Sequence, residues 1–511
     1  MAKKTPTFKR YDQQQLMILP PSLEELIPKG HPVRIVNDVI NRIDLESLFK
    51  AYHITGSSSY HPQMLLKVLI YGYVTNIYSS RKLEGACRES IYFMWLSSMS
   101  FPDHNTLNRF RSVRLKHALR SVFEEVVQLL AEEGLLSLEE VYTDGTKIEA
   151  NANRYTFVWK KAIMTSKERM KKQLEEIWQY AQNLAQKEDM LPPTPDFTQI
   201  DSEKVKETVD KLNETLRDRK DIDKKVRAKL GYITKNFPEK IVRYEQQEAI
   251  LGERNSYSKT DTDATFMRMK DDHMLNGQLK PGYNVQISTS NQFIVNFTLH
   301  SNPTDTTTLK GHLKQYEQSF GRTPKTLTAD AGYGSAENYT FLEQNGVIPY
   351  IKYGTFNKEL EEKDKDKNPF HAQNLYYNAE KDVYTCPMGQ EMIFIGLENR
   401  HSENGFVHSL RKYQAKNCFN CPLHSPCHKS NENRTIRINT NLEKQKQRVK
   451  ELLFSEEGIR HRKRRCYEVE SVFGNIKENH GFRRFMLRGR EKVEIEWGLL
   501  AIAQNLRKKA A

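Results

Sequence analysis

The chain has 511 residues, 38% of them hydrophobic, and a formal net charge of +14. That length suffices for roughly three domains around a substantial core, and the charge points to a polyanionic partner, nucleic acid foremost, with a basic solubilised surface as the plain alternative. The amino terminus, Met1-Ala-Lys-Lys-Thr-Pro-Thr-Phe-Lys-Arg10, lacks a signal-peptide core, and the best apolar run, Met64 to Val74, is interrupted by Lys67 and Gly72. A cytoplasmic protein with no membrane partner is therefore expected, and six cysteines in so long a chain make no disulfide framework.

In chain order, residues to about 135 read as helices. Ser22-Leu-Glu-Glu25 has capping-box spacing, and Val33, Val36, Val39, Ile40 and Ile43 recur on one helical face. A second apolar helix follows His61-Pro62 through Leu65, Leu66, Leu69 and Ile70. Pro102-Asp103 opens another, with Leu107 and Phe110 inward and Arg109, Arg111, Arg114 and Lys116 outward. Such a basic face suits DNA in the manner of a helix-turn-helix unit, and equally a solvated bundle.

Residues 139 to 150 shift to β-branched and aromatic types and predict a first strand. From about 158 to 250 the pattern is helical and densely charged. Met170, Leu174, Ile177, Ala181 and Leu184, then Val205, Val209, Leu212 and Leu216, predict an inserted antiparallel hairpin broken at Pro192-Pro193-Thr-Pro195. Beyond residue 280 the order is strand (Tyr283 to Ser288), strand (Phe293 to His300), helix (Thr306 to Phe320) and strand (Thr326 to Asp330), with a further strand from Ile348 to Lys352. An α/β fold follows, a mixed sheet flanked by helices.

Three acidic motifs stand far apart in this pattern: Val-Tyr-Thr-Asp144-Gly-Thr-Lys, Leu-Thr-Ala-Asp330-Ala-Gly-Tyr-Gly and Val-Glu470-Ser-Val-Phe-Gly-Asn-Ile-Lys477. Singly, each acid has a structural reading: a turn at Asp144-Gly145, a helix cap at Asp330, a surface position at Glu470. Together they offer hard oxygen ligands that leave coordination positions open for phosphate and water around Mg²⁺, as two-metal phosphodiester cleavage requires. Glu470 and Lys477 lie seven residues apart, close to two helical turns, so both should project along one face beside the apolar Val469, Val472, Phe473 and Ile476. Arg462-Lys463-Arg464-Arg465 upstream, and Arg483, Arg484 and Arg488 downstream, concentrate guanidinium groups suited to phosphates. Phe482 and Phe485, interleaved with them, could equally pack inward.

With these motifs the chain resembles bacterial insertion-sequence transposases of the DDE type, which have a ribonuclease-H-like catalytic core. The resemblance runs through Phe101-Pro-Asp-His-Asn-Thr-Leu-Asn-Arg-Phe110, Thr143-Asp144-Gly-Thr-Lys147, Asp330-Ala-Gly-Tyr-Gly334 and Glu470 through Lys477. It implies that Asp144, Asp330 and Glu470 bind two catalytic Mg²⁺ or Mn²⁺ ions and that Lys477 contacts phosphate. Relatives often carry an arginine four residues before the glutamate; here that position is Cys466, and the nearest arginine is Arg465, five residues upstream.

Four cysteines, Cys386, Cys418, Cys421 and Cys427, include one CxxC pair and make a candidate tetrahedral zinc site, with His424 or His428 able to replace a thiol. Cys87 and Cys466 are isolated and read as structural. Asp261 and Asp263 are candidates to assist metal or DNA binding, Asp305 should cap the helix after it, and His300 reads as a satisfied strand-end histidine. No P-loop, dinucleotide fingerprint or serine nucleophile motif occurs, so ATP, NAD and acyl chemistry find no support.

The expected division is a helical DNA-binding region at 1–135, core segments at 136–157, 256–360 and 446–511, a helical hairpin insertion at 158–255 and a Cys-containing insertion at 361–445. The expected activity is metal-dependent strand cleavage at the element's ends followed by 3′-hydroxyl transfer into target DNA. The partners are double-stranded DNA, as terminal inverted repeats and target, and a second copy of the chain in a homodimer. The alternatives are a catalytically inactive DNA-binding descendant and a stand-alone nuclease.

Overall fold

A computed structural model describes residues 22–50, 52, 59–185, 195–198, 200–217, 219, 221–269, 277–361, 368–402 and 404–511. The segment Met1 to Arg10 and the break at Pro192 and Pro193 lie outside the described residues. The chain divides into two compact units, Met1–Leu129 with Leu499–Ala511, and Leu130–Gly498.

The first unit is helical. Ser22 caps a single 3₁₀ turn, Leu23–Leu26, by accepting the Glu24 amide, so the expected capping box opens only a short element. α1 (Pro32–Arg42) starts at a proline whose fixed φ suits the first turn, and it buries Val33, Val36, Val39 and Ile40. After the one-turn α2 (Glu46–Phe49), α3 (Pro62–Val74) is apolar on nearly every side and correspondingly enclosed. α4 (Ser80–Glu89), α5 (Ile91–Leu96) and α6 (His104–Arg109) follow, α6 capped by Asp103, which accepts the Asn105 and Thr106 amides at 2.7 and 3.0 Å. A π-helical turn, Phe110–Arg114, then leads towards α7 (Leu119–Glu132). Arg111 lies in that turn and is buried, donating to the Tyr78 carbonyl at 2.8 Å, whereas Arg109 and Lys116 are exposed. The expected outward row of cations is broken at Arg111, because the wider turn rotates it off the solvent face.

The second unit is built on a six-stranded mixed sheet. β1 (Glu140–Glu149) leads into a short ribbon, β2 (Phe157–Trp159), which pairs antiparallel with β3 (Ser256–Ser258). Between the ribbon strands run α8 (Lys160–Ala185), α9 (Ser202–Leu216) and α10 (Lys224–Leu251). The expected hairpin is therefore a three-helix insertion, whose core joins Leu174, Ile177 and Trp178 of α8 to Val209 and Leu212 of α9 and Ile233, Phe237 and Ile241 of α10. The ribbon lets the insertion leave and rejoin the sheet at one place.

The sheet continues with β4 (Thr265–Arg268), β5 (Leu279–Ser290) and β6 (Phe293–His300), then α11 (Leu309–Phe320), β7 (Thr326–Ala329), α12 (Ala336–Gln344) and β8 (Ile348–Ile351). β1 is antiparallel to β5 and parallel to β7, which is parallel to β8; the far edge of β5 takes β4 and β6. The central strands are buried along most of their length, as strands covered on both faces must be.

After α13 (Phe356–Glu361), β9 (Tyr376–Asn378), β10 (Val383–Thr385), β11 (Glu391–His401), β12 (Val407–Ala415) and β13 (Thr435–Ile438) form a separate five-stranded antiparallel sheet, with the short α14 (His424–Cys427) before β13. α15 (Thr440–Phe454), α16 (Glu456–Arg465), α17 (Ser471–Gly474) and α18 (Arg490–Ala510) complete the chain. Among the described residues, no helix is long and apolar enough to cross a membrane.

Candidate functional site

The first two acids are fixed by the sheet and the third by a helix. Asp144 stands in the middle of β1, opposite Ile287 of β5, so the reading of Asp144-Gly145 as a turn is replaced by a strand position. Asp330 directly follows β7, the parallel neighbour of β1. It does cap a turn, the 3₁₀ segment Ala331–Tyr333, through one oxygen that accepts the Ala331 amide at 2.7 Å. A cap uses one oxygen of a carboxylate and leaves lone pairs on the other, so the structural and chemical readings coexist. Glu470 closes a π-helical turn, Cys466–Glu470, between α16 and α17.

That turn answers the five-residue spacing of Arg465. Residues five apart on an α-helix point about 140° away from each other, but a π turn closes its hydrogen bonds between i and i+5 and brings them to one side. The Arg465 guanidinium accordingly reaches all three acids: 3.6 Å to Asp144, 3.5 Å to Asp330 and 3.7 Å to Glu470. Its side chain is 16% exposed, Asp144 10%, Asp330 52% and Glu470 56%, so the cluster has a sealed floor and an open mouth. All three separations exceed hydrogen-bonding length, and the cation is shared among the acids, not locked to one in a bidentate pair.

Neighbouring groups hold these elements in place. His461, one turn before Arg465, is buried, meets the Tyr142 hydroxyl at 2.9 Å and stacks on Tyr350 with ring centroids 4.3 Å apart; burial lowers its pKa. α16 is thereby fastened to β1 and β8. Glu468 is buried and accepts from Arg464 at 2.9 Å and from the Gln292 amide at 2.7 Å, so this second glutamate of the turn ties the helix to the β5–β6 connection while Glu470 faces outward.

Beneath β1 lies a polar layer that the sequence did not reveal. A Cβ on Gly145 would overlap the Gln286 amide nitrogen and stand 2.6 Å from an Asp305 carboxylate oxygen, so a side chain here would displace both. The Asp305 carboxylate accepts from Asn284 and Gln286 at 2.8 and 2.9 Å. The expected capping role is corrected: Asp305 offers its backbone carbonyl to Thr308, while its side chain braces β5. Tyr333, fully enclosed, donates to Gln286, and burial together with Asp305, Asp144 and Asp330 keeps its hydroxyl protonated. A glycine inside a strand, flanked by polar residues on a covered strand, was the available signal.

Lys477 lies in a second π turn, Asn475–Asn479, and is 8% exposed, so it does not project to solvent beside Glu470 as a straight helix would require. Arg483 pairs with Glu478; Arg484 donates to the Ala150 and Ala152 carbonyls at 3.3 and 3.4 Å, and Arg488 to the Asn151 carbonyl at 2.8 Å. All three are exposed along the loop after β1. Phe482 and Phe485 are buried against Trp497, which settles their packing role. Arg462 lies over Phe356 and Phe454, and Arg464 over Tyr142, so within the basic run Lys463 is the exposed residue and the arginines are half-buried. Asp261 is buried on the Tyr283 hydroxyl and Asp263 accepts the Arg490 amide, both in structural bonds. His300 bonds Thr298 at the end of β6. Cys87 is buried in α4 and Cys466 exposed. Among the described residues, no three His, Cys, Asp or Glu side chains are grouped so that they could hold a metal ion.

Residues 385–510 match the family described as Transposase DDE domain, and residues 21–113 match the Transposase domain (DUF772). No curated protein and no solved structure matches the chain. The two family matches support an insertion-sequence transposase of the DDE type, a family that implies a DNA substrate and normally uses divalent metal ions. The DDE match takes in Arg465, Glu470, Cys386, Cys418, Cys421 and Cys427; Asp144 and Asp330 fall outside both matches and meet Arg465 through the fold.

Proposed function

We propose that the protein hydrolyses phosphodiester bonds at the ends of its own mobile element and then joins the freed 3′-hydroxyl to target DNA. The observation that carries this reading is the single guanidinium of Arg465 lying within 3.5–3.7 Å of carboxylates from three distant segments. The strand order β6-β5-β1-β7-β8, antiparallel up to β1 and parallel beyond it, supports a ribonuclease-H-like core.

The donor set, three carboxylates with two half-exposed, fits a hard divalent cation. Asp144, Asp330 and Glu470 would hold Mg²⁺ or Mn²⁺, two ions in all, which when bound activate the attacking oxygen and neutralise charge on the leaving one. The chain's own residues do the rest. Arg465 meets the scissile phosphate, Lys477 supports the helix that carries Glu470, and Arg483, Arg484 and Arg488 grip the DNA backbone. The helical region 1–135 reads the terminal repeats, and a homodimer in the cytoplasm pairs the two ends.

The test uses duplex DNA carrying the repeats that flank the coding region. Asp144→Asn, Asp330→Asn and Glu470→Gln should each abolish strand cleavage while leaving DNA binding largely intact; cleavage by any purified single mutant removes that residue from the site. A pre-cut end with a 3′-hydroxyl should yield joined product. Cleavage without joining would make the protein a stand-alone nuclease, and binding without cleavage an inactive descendant.

A further inference from the structure

Among the described residues, the five-stranded sheet of β9 to β13 has a small buried core of Leu375, Met392, Tyr413, Ala415 and Ile436, with Cys386 and Cys418 packed against it. So small a core holds a sheet of this size poorly without a staple. Beside it lies a cavity of about 20 Å³ lined by Cys386, Cys418, Cys421, Cys427, His424 and His428. That volume suits one small occupant.

Hydrogen-bond donors converge on the sulfurs. The Gln390 amide donates to Cys386 Sγ at 3.3 Å, the Arg434 amide to Cys418 Sγ at 3.3 Å, and the Arg434 guanidinium to Cys427 Sγ at 2.9 Å. Three donors aimed at three of four sulfurs are the kind of outer hydrogen bonds that orient sulfur ligands around a cation. His428 adds a second sign: both ring nitrogens are sealed from solvent without a well-formed hydrogen bond, although its ring lines the cavity. All four thiols are free of disulfides.

We propose that Cys386, Cys418, Cys421 and Cys427 bind one structural Zn²⁺ as thiolates, the four thiol protons passing to solvent and Arg434 offsetting the negative charge left on the site. His428 is the neighbouring imidazole that replaces a thiol when one is removed. Because the sulfurs line the cavity without yet forming a coordination group, the ion draws them together and fastens the β10–β11 turn to the Cys418–Cys427 loop. This staple does not depend on the DNA chemistry.

The full chain, purified without chelator, should contain about one zinc per molecule by elemental analysis. Replacement by Co²⁺ should give the intense thiolate-to-cobalt absorption of a tetrahedral sulfur site, which oxygen ligands at the acidic cluster cannot produce. Cys418→Ser with Cys421→Ser should lose the zinc, and Cys87→Ser with Cys466→Ser should keep it. If the doubly substituted site misfolds, the cobalt spectrum of the unaltered chain still decides. Substoichiometric zinc, no thiolate band and ready reaction of Cys386, Cys418, Cys421 and Cys427 in the native protein would overturn the proposal.

Discussion

Removing the Arg465 guanidinium tests whether the three acids form one electrostatic unit. Each contact, near 3.6 Å, corresponds to a gross attraction of about 4–5 kcal/mol at the effective dielectric of a protein surface. Solvent screening reduces this to about 0.5 kcal/mol each for the half-exposed Asp330 and Glu470, and the enclosed Asp144 pair contributes about 1 kcal/mol, giving about 2 kcal/mol in total. Arg465→Ala should therefore lower stability by about 1–2 kcal/mol in EDTA, since three carboxylates are left to repel one another. A divalent ion faces the opposite effect, because it no longer competes with a resident cation. Its affinity should rise by about thirtyfold, the equivalent of 2 kcal/mol. Denaturation measured across a Mn²⁺ titration reads both quantities, since ligand bound to the native state adds stability by mass action. Cleavage should fall in the same variant, for want of a phosphate contact. Equal Mn²⁺ affinity in the two proteins, with equal stability in EDTA, would refute the idea that the acids converge on this cation.

The two glutamates of the π turn should separate cleanly: Glu468→Ala should cost about 2–4 kcal/mol in chemical denaturation, because it strips a buried acceptor from Arg464 and the Gln292 amide, whereas Glu470→Gln should leave stability within about 0.5 kcal/mol and abolish cleavage. Gly145→Ala should destabilise by about 1–3 kcal/mol, since its Cβ would overlap Gln286 and Asp305, and the paired substitution with Gln286→Ala should recover part of the loss. Acid should weaken the fold through His300, whose pKa burial pushes down to about 4, with Arg490 adding to the shift. The unfolded chain takes up that proton near pH 6.5, so stability present above 6.5 should drain away by up to about 1.4 kcal/mol per pH unit until pH 4. His300→Gln should flatten that slope, and an unchanged slope would place the acid sensitivity elsewhere.

Patterns that depend on local spacing were readable from the chain alone. The periodicity of Val33, Val36, Val39 and Ile40 marked α1, the β-branched run around Asp144 marked β1, and the strand, strand, helix, strand order after residue 280 marked the sheet, because burial of one face or both is written into residue type. The third helix of the insertion was missed. Its apolar positions Leu230, Ile233, Phe237 and Ile241 are diluted by charge, and Pro238 lies within it.

Three acidic motifs and a basic run near Glu470 were thus fixed by sequence, along with four cysteines in a recognisable spacing. Only the tertiary structure decided which side chains meet. A π turn cannot be seen in residue spacing that assumes 3.6 per turn, yet it turns Arg465 toward the acids and leaves Glu470 outward while Glu468 is buried. The polar layer of Asn284, Gln286, Asp305 and Tyr333 likewise depends on strand pairing across distant segments, and residue identity alone does not carry such long-range register.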